Sequence, residues 1–81
     1  MPAMRHRKKH HVTAQQRDRQ AAAVKKLREA AGYSIDQLSD RTGLARSTLY
    51  RIENGDHTMA LDTIVTLSVG LGVPVAALLP A

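Results

Sequence analysis

Arg46, Ser47, Tyr50, Arg51 and Asn54 fall on one side of a short stretch whose other side is Leu49 and Ile52. A helix there would present a polar face rich in hydrogen-bond donors. Arginine is the informative type. Its planar fork donates two parallel hydrogen bonds that match the O6 and N7 acceptors of guanine, although the same fork can bind phosphate or simply solvate an exposed helix. Catalysis has fewer grounds. Ser47, Tyr50, Asp56 and His57 are of the right types for nucleophile and base, but they form no nucleophile–base–orienter set on converging elements. The chain also lacks a glycine-rich phosphate loop and a paired-carboxylate motif. The sequence predicts a binding module and not an enzyme.

The second concentration of chemistry is the leader, Met4-Arg5-His6-Arg7-Lys8-Lys9-His10-His11. Of the four histidines in the chain only His10 and His11 are adjacent, with no cysteine or carboxylate beside them, so no metal site is expected. The net charge of +5 lies in the first 20 residues, where Arg5, Arg7, Lys8, Lys9, Arg17 and Arg19 are opposed by Asp18 alone. Beyond them six cations balance six carboxylates. A basic arm on a near-neutral globule suits a polyanionic partner, because each phosphate neutralised releases counterions and adds sequence-independent affinity. Arg5, Arg7, Lys8 and Lys9 are the candidate arm contacts; a solvated tail without contacts is the plain alternative.

The elements that must position these groups follow from periodicity. Residues 1–18 are polar and aperiodic and are expected to be a flexible basic arm, with residues 19–81 forming one domain. The 81 residues leave room for one modest core and not for a second, effector-binding domain. Cysteine is absent, which suits a reducing compartment, and no apolar run approaches the length of a membrane span. The basic start is not followed by the apolar stretch of a signal peptide, so a cytoplasmic protein is expected.

A first helix begins near Arg19, carries Ala21, Val24, Leu27, Arg28 and Ala31 as its inward stripe, and stops at Gly32. Ser34-Ile35-Asp36-Gln37 fits a capping box and opens a second helix that ends near Thr42, where Gly43 permits a sharp turn. The third spans about residues 46–54 and closes at Asn54-Gly55. After the loop Asp56-His57-Thr58, a fourth helix offers Leu61, Ile64, Val65, Leu67, Ser68 and Leu71 as a broad buried face. Pro74 opens a short fifth with Val75, Leu78 and Leu79. No strand is required, and the expected fold is all-α, a compact five-helix bundle.

Two short helices joined by the turn Leu38-Ser39-Asp40-Arg41-Thr42-Gly43-Leu44 are what a helix-turn-helix needs, since the tight turn sets the second helix across the first so that it can enter a groove. Around that turn stand Leu27-Arg28-Glu29-Ala30-Ala31-Gly32-Tyr33-Ser34, Gln37-Leu38-Ser39, Gly43-Leu44-Ala45-Arg46-Ser47-Thr48-Leu49-Tyr50-Arg51-Ile52-Glu53-Asn54-Gly55 and Leu71-Gly72-Val73-Pro74. On these segments the chain resembles the Cro and phage-repressor (XRE-like) family, whose fold is the lambda-repressor-like DNA-binding domain.

The resemblance implies sequence-specific binding of double-stranded DNA by a transcriptional regulator, a repressor, with the third helix in the major groove. Arg46, Ser47, Tyr50 and Arg51 match the family's outward positions on the recognition helix, where side chains reach base edges. Ser34, Arg41, Thr48, Asn54 and His57 are the candidate phosphate contacts, with Ser47 or Thr48 alternatively serving the backbone near the helix start. Arg28 and Glu53 match a structural ion pair between the first and third helices; each explains the other's place on an apolar stripe, because a lone buried charge is very costly. A homodimer is expected, joined around the fifth helix and the end of the fourth through Val73, Val75, Leu78 and Leu79. No cofactor, membrane or small-molecule ligand is expected, and the bound protein would sit on the nucleoid. An antitoxin or adaptor that captures a protein on the surface of helices 4 and 5 is the alternative. Three positions depart from the family: Ile35 stands where a DNA-contacting glutamine is usual, Ala45 where a serine often caps the recognition helix, and Met59 where proline precedes helix 4.

Overall fold

The computed structural model describes residues 12–56 and 58–79. Its first helix, α1, runs Ala14–Ala30 and not from near Arg19 as periodicity suggested. The reason is a capping box: the Thr13 hydroxyl accepts from the Gln16 N–H at 3.0 Å while the Gln16 side chain accepts from the Thr13 N–H at 2.9 Å. Polar residues 14–18 are therefore helical, although they offer no apolar stripe to read.

Helix α2, Ile35–Thr42, is capped the same way by Ser34 and Gln37, as expected. Gly43 ends it at φ +78°, a conformation that costs glycine nothing and lets the chain reverse at once. Side chains fix the turn. Ser39 donates to the Leu44 carbonyl at 2.7 Å, and Thr42 donates to the Leu38 carbonyl at 2.8 Å while accepting from the Leu44 N–H at 3.1 Å. Helix α3, Arg46–Glu53, starts directly from this turn, and α4 follows at Leu61–Leu71.

The fifth helix is corrected. Val75–Leu78 is a single 3₁₀ turn, so the described residues hold four α-helices and not five. Pro74 contributes its carbonyl to the Ala77 N–H at 3.0 Å, and Leu79 is extended at ψ 146°, the conformation favoured for the residue before a proline, here Pro80.

Val24, Leu38, Leu49, Ile52, Leu67 and Leu78 are fully buried and join α1 to α4 and the 3₁₀ turn in one core. Each such burial stabilises by about 1.5–3 kcal/mol before the entropy of ordering is counted. Two expectations about apolar surface fail. Leu61 and Val65 do not join the core but are exposed, as is Val69, because α4 buries the opposite side, Ile64, Leu67, Ser68, Gly70 and Leu71. Leu78, expected at a dimer contact, lies in the core, and Val73 and Val75 are half-buried against it, leaving Leu79 exposed.

At the back of the turn, α2 and α4 approach closely. A Cβ on Gly70 would meet the Thr42 methyl at 2.5 Å. Across the same crossing, Arg41 donates from Nε to the Gly70 carbonyl at 2.8 Å and lays its guanidinium 4.6 Å from the Tyr33 ring centroid. Gln20, buried beside the core, donates to the Leu78 carbonyl at 2.6 Å and ties α1 to the 3₁₀ turn.

Candidate nucleic-acid interface

Burial of Leu49 and Ile52 decides which way α3 faces. With those two side chains held in the core, Arg46, Ser47, Tyr50, Arg51 and Asn54 are turned outward and exposed on one continuous face, while Thr48 is half-buried at its edge. A helix of eight residues anchored on one side and polar on the other can protrude from the globule while its apolar side stays packed. Ala45 gives no side-chain cap, so the first N–H groups of α3 are left to solvent or to an acceptor brought by a ligand.

The helix is held at its far end. Arg28 on α1 donates from Nε and Nη2 to the two carboxylate oxygens of Glu53 at 2.7 and 3.0 Å, and from Nη1 to the Tyr33 carbonyl at 2.9 Å. Both side chains are largely buried. Hydrogen bonding to Glu53 raises the Arg28 pKa above arginine's ordinary value, with burial acting the other way. A raised pKa means that Arg28's own share of the pair is complete below the ordinary arginine range and is lost only as pH climbs through the folded value, so the guanidinium stays charged around neutral pH.

Residues 24–78 match the helix-turn-helix family HTH_3, two thirds of the chain and every element just described from within α1 to the 3₁₀ turn. The chain belongs to this Cro/C1-type helix-turn-helix family. It is 30% identical over 54 residues to the HTH-type transcriptional regulator SutR of Escherichia coli (strain K12), covering 67% of this chain and 30% of SutR. The chain thus spans under a third of that relative. Among solved structures it is similar to the restriction-modification controller protein C.AhdI from Aeromonas hydrophila, with a TM-score of 0.74 and 27% identity over 76% of this chain and 94% of C.AhdI.

Within this helix-turn-helix domain, the residues singled out from sequence take up different situations. Arg46, Ser47, Tyr50 and Arg51 share the outward face of α3. Ser34 is engaged as the α2 cap through its oxygen, which leaves its O–H able to donate outward. Arg41 has Nε committed to Gly70 and its plane packed on Tyr33, so only its terminal nitrogens remain for a phosphate. Asn54 is exposed as the C-cap of α3, with its N–H donating to the Tyr50 carbonyl at 2.9 Å. His57, Arg5, Arg7, Lys8 and Lys9 lie outside the described residues.

At the position where the family usually has glutamine, Ile35 is buried in the core and presents no side chain to the surface. Met59, in place of proline, is also buried and fills core volume before α4. Sequence reasoning missed the partner of Arg46. Asp36, in the first turn of α2, accepts from Arg46 Nη1 at 3.1 Å. With Ser39 and Asp40 these two line a cleft of about 350 Å³ between α2 and the start of α3. Asp36 and Arg46 are ten positions apart in sequence, and only the geometry of the turn brings them together.

Proposed function

We propose that the chain binds duplex DNA sequence-specifically and regulates transcription as a repressor, with the exposed face of α3 in the major groove. The outward set Arg46, Ser47, Tyr50 and Arg51 on a helix anchored by Leu49, Ile52 and Glu53 carries this reading. Arg46 reads a guanine, Ser34, Arg41, Thr48, Asn54 and His57 serve phosphates, and the basic leader adds affinity to any sequence. The names of SutR and C.AhdI, a transcriptional regulator and a restriction-modification controller, support a regulatory role. The setting is the cytoplasm, on the nucleoid when DNA-bound; no helix among the described residues is long and apolar enough to cross a membrane.

One eight-residue recognition helix reaches too few base pairs to select a site in a genome, so two copies act on two half-sites. The exposed apolar row of α4, Leu61, Val65 and Val69, is the surface for that pairing, in place of the tail. The same row would serve an antitoxin or adaptor, which is the competing reading. Selection from a random duplex library tests the proposal. It predicts a symmetric site containing guanine and binding that falls steeply with salt; retention of all duplexes alike, or none, contradicts it.

A further inference from the structure

Asp36 and Arg46 are both well exposed, at 69% and 65% of their side chains. An ion pair so solvated contributes little to folding. Its place is more informative than its energy, because it grips the first side chain of the recognition helix. Asp36 takes only Nη1 of Arg46. Nε and Nη2, the side edge of the guanidinium, have no partner among the described residues. Arg28 in the same chain shows what that division permits: there Nη1 goes to the Tyr33 carbonyl while Nε and Nη2 together engage a bidentate acceptor. A carboxylate on Nη1 thus fixes the plane of the guanidinium and leaves free the edge that fits guanine O6 and N7.

The surroundings discriminate further. Asp40, one turn along α2, lines the same cleft and pairs with no cation among the described residues. Two carboxylates and one arginine therefore share this cleft. A DNA phosphate brought to this point would be repelled, whereas a neutral base edge would not.

Resting on the reading of Arg46 as a base contact, we infer that Asp36 is a specificity-determining positioning residue. It holds Arg46 by Nη1 so that the side edge faces a base, and with Asp40 it keeps phosphate from taking the base's place. The pair raises discrimination between sites and does so at the expense of affinity for DNA at large.

The test measures affinities for the selected duplex and for a scrambled duplex of equal length, each at two salt concentrations. The proteins are the wild type, Asp36→Asn, Asp36→Glu, Arg46→Ala and the double variant Asp36→Asn/Arg46→Ala. Asp36→Asn should bind scrambled DNA more tightly and lower the ratio of the two affinities by about fivefold, the upper range for an exposed pair. Asp36→Glu should restore most of the ratio. In the Arg46→Ala background, Asp36→Asn should raise both affinities equally and leave the ratio alone. Equal changes on both duplexes in the wild-type background would overturn the inference, as would the same drop in ratio without Arg46. An equal loss on both duplexes for Arg46→Ala would instead overturn the base-reading proposal beneath it. Unchanged thermal midpoints verify that the variants differ in recognition and not in folding.

Discussion

Arg28 on α1 and Glu53, the last residue of α3, meet edge to edge through two hydrogen bonds of 2.7 and 3.0 Å, with the third Arg28 donor on the Tyr33 carbonyl. The recognition helix is thereby fixed at the end opposite Arg46. Removing either partner leaves a largely buried charge without compensation, so Arg28→Met or Glu53→Leu alone should cost about 3 kcal/mol of unfolding free energy. The double variant should cost less than the sum of the two. Additive losses in denaturant titrations would show that the two charges do not act as a pair.

Gly70 sits where α4 crosses α2, and its missing Cβ is what admits the Thr42 methyl. In an open helix Gly→Ala would gain about 1 kcal/mol from backbone propensity. Here overpacking, typically about 1–3 kcal/mol, should outweigh that gain and make Gly70→Ala destabilising. Thr42→Ser keeps the hydroxyl that bonds the Leu38 carbonyl and removes the methyl. In that background Gly70→Ala should become neutral or stabilising; an unchanged cost would mean that this close approach is not the constraint.

Much of this architecture is legible in the sequence because local chemistry and long-range packing agree there. Ser34 and Gln37 announce the start of α2, Gly43 its end, and Leu49 with Ile52 the face of α3. Where they disagree, the reading slips. Thr13 and Gln16 cap a polar helical start that no apolar period marks. On α4, Leu61, Val65 and Val69 are as apolar as the buried stripe, so hydrophobicity cannot tell which side meets the core. Leu78 looks like a free tail residue until Gln20, buried and bonded to its carbonyl, draws it inward. The Asp36–Arg46 pair depends on the angle between two helices, which residue spacing alone does not specify.

The leader begins upstream of the Thr13 cap, so deleting residues 1–11 should leave the fold intact. We expect weaker binding to every duplex and a log–log salt slope shallower by about 0.9 for each phosphate that the leader neutralises. The preferred site should not change. A different selected site after deletion would mean that the leader reads bases.

Val69 is 74% exposed and takes no part in the core, so Val69→Lys should fold normally. If the α4 row joins two copies, this variant should sediment as a monomer and lose affinity for a duplex with two half-sites while binding a single half-site as before. Full affinity for the two-site duplex would place the dimer contact elsewhere.

The central claim is that the outward face of α3 distinguishes one DNA sequence from another, and Arg46 is its most exposed test. Binding of Arg46→Ala to the selected duplex and to a scrambled one, at two salt concentrations, measures it directly. A base-reading arginine predicts a loss of about 1–3 kcal/mol on the selected duplex, a much smaller loss on the scrambled one, and flattened preference at one symmetric pair of positions. Equal losses on both duplexes with a shallower salt slope would make Arg46 a phosphate anchor and contradict the account.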